Sequence, residues 1–449
     1  MDFIPAHEHA GIIAGASGFD CTTAIQNALR RAQDVNGALS IGIGTYPVST
    51  LRITGSNYRI ETDENTIFRQ KQGLPGDHPV IEITHCADVA IGPLSVLGNI
   101  ASDRGEHHHA VLVGKSRNVT IGPIFARNIR GDALYCYARD TSDAERLDNL
   151  HVDSVSGHNV FRNLVSITGG RVSIGEIRNA GPVGYRDLDV EPNAEGRYQP
   201  PEVVVGKAVV GSLEVTSDDP KTRSLSVKIG DVDGDGRRIQ PTTPPYPRAP
   251  GRNGYALGLS RVARVDIARA KLRHYASYAV NLGPDHGDIR FGDLDIAHCG
   301  FDERTFNSAI AKRGSPPGGR LILDRVQCLH PDNSKWLIHS DQPGMPVTIG
   351  GGAIIGGLLA VNCIVDARLL AIDAGGAHGP AANIVMWGGG SRLESVSIKG
   401  ARDAILLFDS PDCSLISVSG EVGAITNGKS LNIRMLDSRL EPVHSRDWR

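Results

Sequence analysis

A short phrase recurs along this chain: a β-branched residue, a spacer, an apolar residue, glycine, a spacer, then another apolar residue. It reads Val89-Ala-Ile-Gly92-Pro-Leu94, Val119-Thr-Ile-Gly122-Pro-Ile124, Val172-Ser-Ile-Gly175-Glu-Ile177, Val227-Lys-Ile-Gly230-Asp-Val232 and Ile289-Arg-Phe-Gly292-Asp-Leu294. A looser copy begins at Val347-Thr-Ile-Gly350. Self-similarity of this kind marks an architecture of stacked repeats, in which each unit buries its apolar face on its neighbours.

Related apolar strands lie between the copies, among them Leu150-His-Val152, Leu213-Glu-Val215, Val265-Asp-Ile267, Leu321-Ile-Leu323 and Leu431-Asn-Ile433. Strands starting at Val119, Leu150 and Val172 imply coils of roughly 20–30 residues, the period of a parallel β-helix. The phrase is read as the corner of a coil. The 53 glycines suit short strands and tight turns. The whole chain, 1–449, is expected to form one such domain. Residues 1–60 supply a cap and first strands, 80–440 the coils, and the Pro-rich segments at about 192–203 and 234–254 inserted loops. One amphipathic helix is predicted: Asp20 to Thr23 cap it, Ala24, Ile25, Ala28, Leu29 and Ala32 share a face, and Gly37 ends it.

The bulk numbers narrow the partners. A net charge of −3 gives no strong pull toward nucleic acid or anionic membrane. No stretch reaches the ~18 apolar residues that span a bilayer, and no secretory signal is visible at Met1-Asp-Phe-Ile-Pro-Ala. The seven cysteines are scattered singly with no CxxC pair, which predicts buried thiols rather than a disulfide framework. Asp231-Val-Asp-Gly-Asp-Gly236 starts like a calcium loop but has Thr242 where a bidentate Glu is needed, so it is read as a turn.

Chemistry concentrates between residues 105 and 193. Asp189 and Glu191 are two apart on a strand, so both face the same way, with Cα atoms ~6.5 Å apart. Asp187 extends that face. Three carboxylates in an apolar stack would be too costly, so this face is predicted to be solvated. Paired carboxylates suit glycoside hydrolysis, and the spacing leans toward inversion, where carboxyls stand ~6.5–9.5 Å apart. Asp132 and Arg162 fall on neighbouring coils. They line the same stripe or form a structural ion pair. In His107-His-His109, only His107 and His109 share a face, and no ligand set accompanies them, so no metal is expected. His109 remains a candidate for sugar binding or acid–base work, and Tyr135 and Tyr185, with Tyr137 and Tyr198, cluster near the proposed site.

These residues carry a resemblance. Asp20-Cys-Thr-Thr-Ala-Ile-Gln-Asn-Ala-Leu29 followed by Gly44-Thr-Tyr46 resembles the opening of the right-handed parallel β-helix superfamily of pectate lyases, polygalacturonases and phage tailspikes. Gly105-Glu-His-His-His109, Arg130-Gly-Asp132-Ala-Leu, Asn159-Val-Phe-Arg162 and Leu188-Asp-Val-Glu-Pro-Asn193 are similar in order and spacing to uncharacterised bacterial β-helix proteins with a Gly-Asp-Gly-Ile turn and an Ile-Asp-Ile-Glu-Pro-Asn strand. The polygalacturonase motifs are missing, and Gly-Asp-Ala replaces Gly-Asp-Gly at 131–133. The resemblance implies an all-β, right-handed parallel β-helix with an N-terminal capping helix. It implies a carbohydrate-active enzyme, needing no cofactor and acting as monomer or homotrimer, with Asp189, Glu191 and Asp132 catalytic. Arg162, His109, Asp187, Asn159, His158, Tyr135 and Tyr185 would then contact a polysaccharide or oligosaccharide. Two other functions stay open: a lyase using Arg162, His109, His158, Arg186 or Lys207 on a uronate glycan, and a non-catalytic glycan-binding module.

Overall fold

The structure, a computed structural model, describes residues 3–5, 20–74, 78–101, 105–138, 146–192, 201–217, 226–245, 254–300, 308–314, 319–329 and 335–373, with strand segments between 384 and 436. The strand Leu431–Ile433, most of the segment 192–203, Asn193, Tyr198 and Cys413 lie outside the described residues. The chain is an all-β, right-handed parallel β-helix with an N-terminal capping helix. Its coils fall into two compact units, residues 1–228 with 237–250 and residues 229–236 with 251–449.

In the first unit the repeated phrase builds the core directly. Val89, Val119, Leu150, Val172 and Val203 stand above one another in parallel register, and so do Ile91, Ile121, Val152, Ile174 and Val205. All ten are buried. Each phrase residue thus packs on its counterpart one coil away, which is why the phrase repeats. The second unit repeats the device: Ile267, Phe291 and Leu323 stack, as do Leu272, Ile296 and Cys328.

At Gly92-Pro93 and Gly122-Pro123 the phrase's glycine lies between two strands, but at 171–179 and 288–297 the phrase runs through continuous strand. Its glycines answer to close approach: a Cβ on Gly175 would lie 2.4 Å from the Asp153 carbonyl oxygen, and one on Gly292 2.5 Å from that of Ala268. The corner comes just before the phrase, where Asp88, Asn118 and Asn149 take left-handed φ values of 58°, 50° and 55°. Asn and Asp tolerate that region best among residues with side chains. Their amides bond up the stack, Asn118 Nδ2 to Asp88 Oδ1 at 2.8 Å and Asn149 Nδ2 to Asn118 Oδ1 at 2.9 Å. Gly175→Ala is expected to cost about 1–3 kcal/mol, because backbone must move to admit the methyl. Ser173→Ala on the same strand should stay within about 0.5 kcal/mol. Denaturant unfolding of the two variants checks the contrast.

The helix runs Thr22–Asp34 and buries Ile25, Ala28, Leu29 and Ala32, the predicted face less half-exposed Ala24. Asn36 rather than Gly37 takes the left-handed turn, at φ 47°, and the Gly37 N–H closes on the Ala32 carbonyl at 2.8 Å. The six described cysteines are buried and none forms a disulfide among the described residues. Asp231 to Asp235 lie in strand, not in a turn. No helix among the described residues is long and apolar enough to cross a membrane.

Candidate functional site

One sheet of the first unit carries the acidic residues. Its strands Val111–Gly114, Leu134–Tyr137, Val165–Ile167, Leu188–Val190 and Leu213–Thr216 stack in parallel. Their apolar positions point into the core, so the residue between them faces outward. In register these outward residues are Leu112, Tyr135, Ser166, Asp189 and Glu214. A second row follows two residues later. The Thr168 N–H bonds the Cys136 carbonyl at 2.9 Å and the Glu191 N–H bonds the Ile167 carbonyl at 3.1 Å, which ranks Tyr137, Thr168 and Glu191 together. A third row enters the sheet. Backbone bonds from Ala110 to Asp132, Ala133 to Asn163 and Leu164 to Arg186 align His109, Asp132, Asn163 and Arg186.

Asp132 is wholly buried. Its Oδ1 accepts the Asn163 N–H at 2.9 Å. Its Oδ2 lies 3.3 Å from His109 Nδ1 and 3.7 Å from Arg162 Nη1. Burial works to raise its pKa, but the Arg162 guanidinium and the Asn163 N–H hold it below the usual carboxylate value. His109 Nδ1 accepts the Asp132 N–H at 3.0 Å, which assigns the ring proton to Nε2. Burial lowers the His109 pKa, so the ring is neutral, and it stacks on Tyr135 with centroids 4.6 Å apart.

Asn163 connects Asp132 to the acidic row. Its Nδ2 donates to Asp189 Oδ2 and Ser166 Oγ, each at 3.0 Å, and its Oδ1 accepts the Arg186 N–H at 2.9 Å. Asp189 faces outward yet is only 7% exposed. Burial raises its pKa well above the ordinary value. The negative charges of Glu191, Glu214 and Asp132 add to the rise, and Arg186 opposes it. Arg186 is held by Glu214, Nε to Oε2 at 2.7 Å, and lies 4.8 Å from the centroid of the Tyr185 ring. Arg162 also reaches Glu106, 3.6 Å from Nε to Oε2. The arrangement therefore favours the protonated form of one carboxyl beside ionisable acids. Among the described residues no group of three metal-ligating side chains converges.

The structure thus brings together Asp132, His109, Tyr135, Arg162, Tyr185, Asp189 and Glu191. It corrects other expectations. The face is not open to solvent: Asp189 is covered by its neighbours, and burial raises its pKa, favouring the neutral carboxyl. Asp187 does not extend the outward row, because the strand begins only at Leu188. Its buried carboxylate accepts the N–H groups of Gly211 and Ser212 at 2.5 and 3.0 Å and Asn179 Nδ2 at 2.8 Å, a structural role rather than a sugar contact. His158 lies on another sheet. Asn159 turns a corner at φ 56°, donating to Asn128 Oδ1 at 2.9 Å and accepting the Thr243 N–H at 2.9 Å. Glu214 and Asn163 were not singled out from the sequence. Glu214 was detectable as the middle of Leu213-Glu-Val215, a triplet that matches Leu188-Asp-Val190.

Asp187→Ala strands the buried N–H groups of Gly211 and Ser212 and the half-buried Asn179 amide, and should cost about 3 kcal/mol, read as a lowered unfolding midpoint. Burial pushes the Asp187 pKa from 3.8 up to about 6. A folded pKa above the unfolded one means that ionisation costs stability, so this contribution falls as pH rises from about 4 to about 6.

No family model matches the chain, and a search of curated proteins finds no significant match.

Proposed function

We propose that the chain is a carbohydrate-active enzyme of the pectin lyase-like kind that hydrolyses glycosidic bonds in a polysaccharide or oligosaccharide. The observation carrying this reading is Asp189, an outward-facing carboxyl only 7% exposed in register with Glu214, whose pKa is raised well above the ordinary value by burial and by the negative neighbours Glu191, Glu214 and Asp132. Asp189 donates its proton to the leaving glycosidic oxygen. Glu191, just past the end of the strand and near enough for its charge to raise the Asp189 pKa, takes a proton from the water that attacks the anomeric carbon. The bond from that carbon to the leaving oxygen breaks, and one water is consumed per cleavage.

Asp132 has no exposed surface with which to touch a sugar. It acts as a positioning residue through Asn163, and its charge favours the protonated form of Asp189. Arg162 and Tyr185 border the carboxyls and bind the sugar. Incubating the protein with a panel of plant and bacterial polysaccharides, with products read by mass spectrometry, tests the reading. Hydrolysis adds the mass of one water. An ultraviolet-absorbing unsaturated uronate would replace hydrolysis with elimination, and binding without turnover would make the protein a glycan-binding module.

A further inference from the structure

One sheet of the second unit carries an outward row whose charges follow a distinct order. Arg273, Ala297, Leu329, Ile355 and Asp373 stand in register on five successive coils. The alternation that buries Leu272, Ile296, Cys328, Ile354 and Ile372 turns these five outward. Leu329 and Ile355 are 42% and 50% exposed. Of the six exposed large apolar side chains among the described residues, three belong to this sheet, the third being Leu369 just before the strand Leu370–Asp373. Single exposed apolar residues are ordinary, but neighbours in register make a patch. The row borders a groove of about 580 Å³, lined by Ala297, Leu329, Ala353 and Ile355 and by the stacked rings of His274 and His298.

The charges are arranged about the middle of the row, which is Leu329. Arg273 stands two coils to one side of it and Asp373 two coils to the other, each ~10 Å away along the stack. The order continues past both ends. Lys399 is in register with Asp373, and Asp235 ends the strand that pairs with Arg264–Arg273. Along the stack the row is therefore acid, base, three apolar residues, acid, base. Such an order is complementary to its own reverse. Turned end for end, it sets Arg273 against Asp373, Asp235 against Lys399 and Leu329 against itself. Laid on itself in the same direction, it sets every charge against its like. The adjacent outward row, Lys271, Asp295, Gln327, Ala353 and Ala371, also suits the reversed arrangement, because its two charges then meet alanines. Within the chain Arg273 Nη2 lies 3.7 Å from Asp295 Oδ2, an exposed pair that holds the guanidinium weakly.

We propose that this face is the interface of a two-fold dimer, its occupant a second copy of the chain with the stack of coils reversed. The dyad runs parallel to the strands through Leu329. The two sheets pack face to face, and Arg273 of each copy meets Asp373 of the other. An interface of this kind uses the same patch on both copies and closes at two. A homotrimer of parallel stacks would bring like charges together on this face.

Sedimentation equilibrium of the full chain over a range of concentrations is the test. The expected result is a reversible monomer–dimer equilibrium. Leu329→Glu sets two carboxylates against each other at the dyad and should weaken the dimer at least tenfold. Arg273→Asp and Asp373→Arg should each weaken it at least tenfold, and the double variant should regain the affinity of the parent, a rescue that only reversed stacks give. Each variant is compared at an unfolding midpoint equal to that of the parent. Should Leu329→Glu lower the midpoint, Ile355→Glu takes its place. A monomer at every concentration overturns the proposal, and so does a trimer. A dimer that Leu329→Glu leaves intact, or one in which the double variant is no tighter than the single variants, overturns it as well. The hydrolase reading stands or falls separately, since it is tested by turnover.

Discussion

Asp189→Asn is expected to cut polysaccharide cleavage by roughly a hundred- to ten-thousandfold, the usual share of a general acid, while leaving the protein at least as stable as its parent at pH 7. The two effects share one cause. Burial and the charges of Glu191, Glu214 and Asp132 hold the Asp189 pKa well above 3.8. A folded pKa raised above the unfolded one means that the ionised group costs stability once the pH climbs past the unfolded value. Asparagine removes that cost, since it is neutral at every pH, and its amide oxygen can still accept the Asn163 Nδ2–H. The stability gap between variant and parent should therefore grow as pH rises from about 4 and vanish below it. Activity should lose its alkaline limb, because that limb reports deprotonation of the acid. Unfolding midpoints from pH 4 to 8, with rates on the same buffers, check both. Retained turnover, or a loss of stability as large at pH 7 as at pH 4, would remove Asp189 from its role. Glu191→Gln should depress the rate comparably and move the alkaline limb to lower pH, since the Glu191 charge helps to raise the Asp189 pKa.

The stack was legible because its cause is local. Val89, Val119, Leu150 and Val172 are apolar wherever a coil must pack on the next, and that regularity is written in the order of residues. The Asp189–Glu191 pair was legible by the same alternation. The alternation misled by one step at Asp187, where it was carried past the start of the strand. There the side chain turns to the corner and finds the N–H groups of Gly211 and Ser212. Arg162 and His158 are close in sequence yet on different sheets, because Asn159 between them adopts a left-handed turn that no count of spacing reveals. The Asn163 bridge depends on a rotamer and on register across three coils, neither of which composition or period encodes. Burial of Asp189 follows from how neighbouring side chains crowd a face, and a rule that forbids buried carboxylates leaves out a carboxyl whose pKa burial raises.

Asp132→Ala is expected to destabilise the protein by about 3–5 kcal/mol, the usual cost of removing one partner from a buried charged set. The Arg162 guanidinium loses the acid 3.7 Å away, and the Asn163 N–H loses its acceptor. Asp132→Asn separates this structural part from the electrostatic one. An amide oxygen can keep the bond to Asn163 but carries no charge. Since the Asp132 charge helps to raise the Asp189 pKa, neutralising it should move the alkaline limb of the activity profile to lower pH, with kcat at the optimum less affected. A residue that only supported the fold would lower the unfolding midpoint and leave the limb in place. The parent should also lose stability in acid through this pair. The lowered pKa of Asp132 gives it stabilisation that is present above pH 3.8 and lost as pH falls through the folded value. His109, with its pKa below 6.5, adds a cost that begins as pH falls past 6.5, where the unfolded chain takes up a proton that the folded ring refuses. Removing the Asp132 charge deletes the first of these and, since that charge holds the His109 pKa up, deepens the second. The acid limb of the variant's stability curve should therefore begin at the same pH, fall more steeply below it and lack the carboxylate step below pH 3.8.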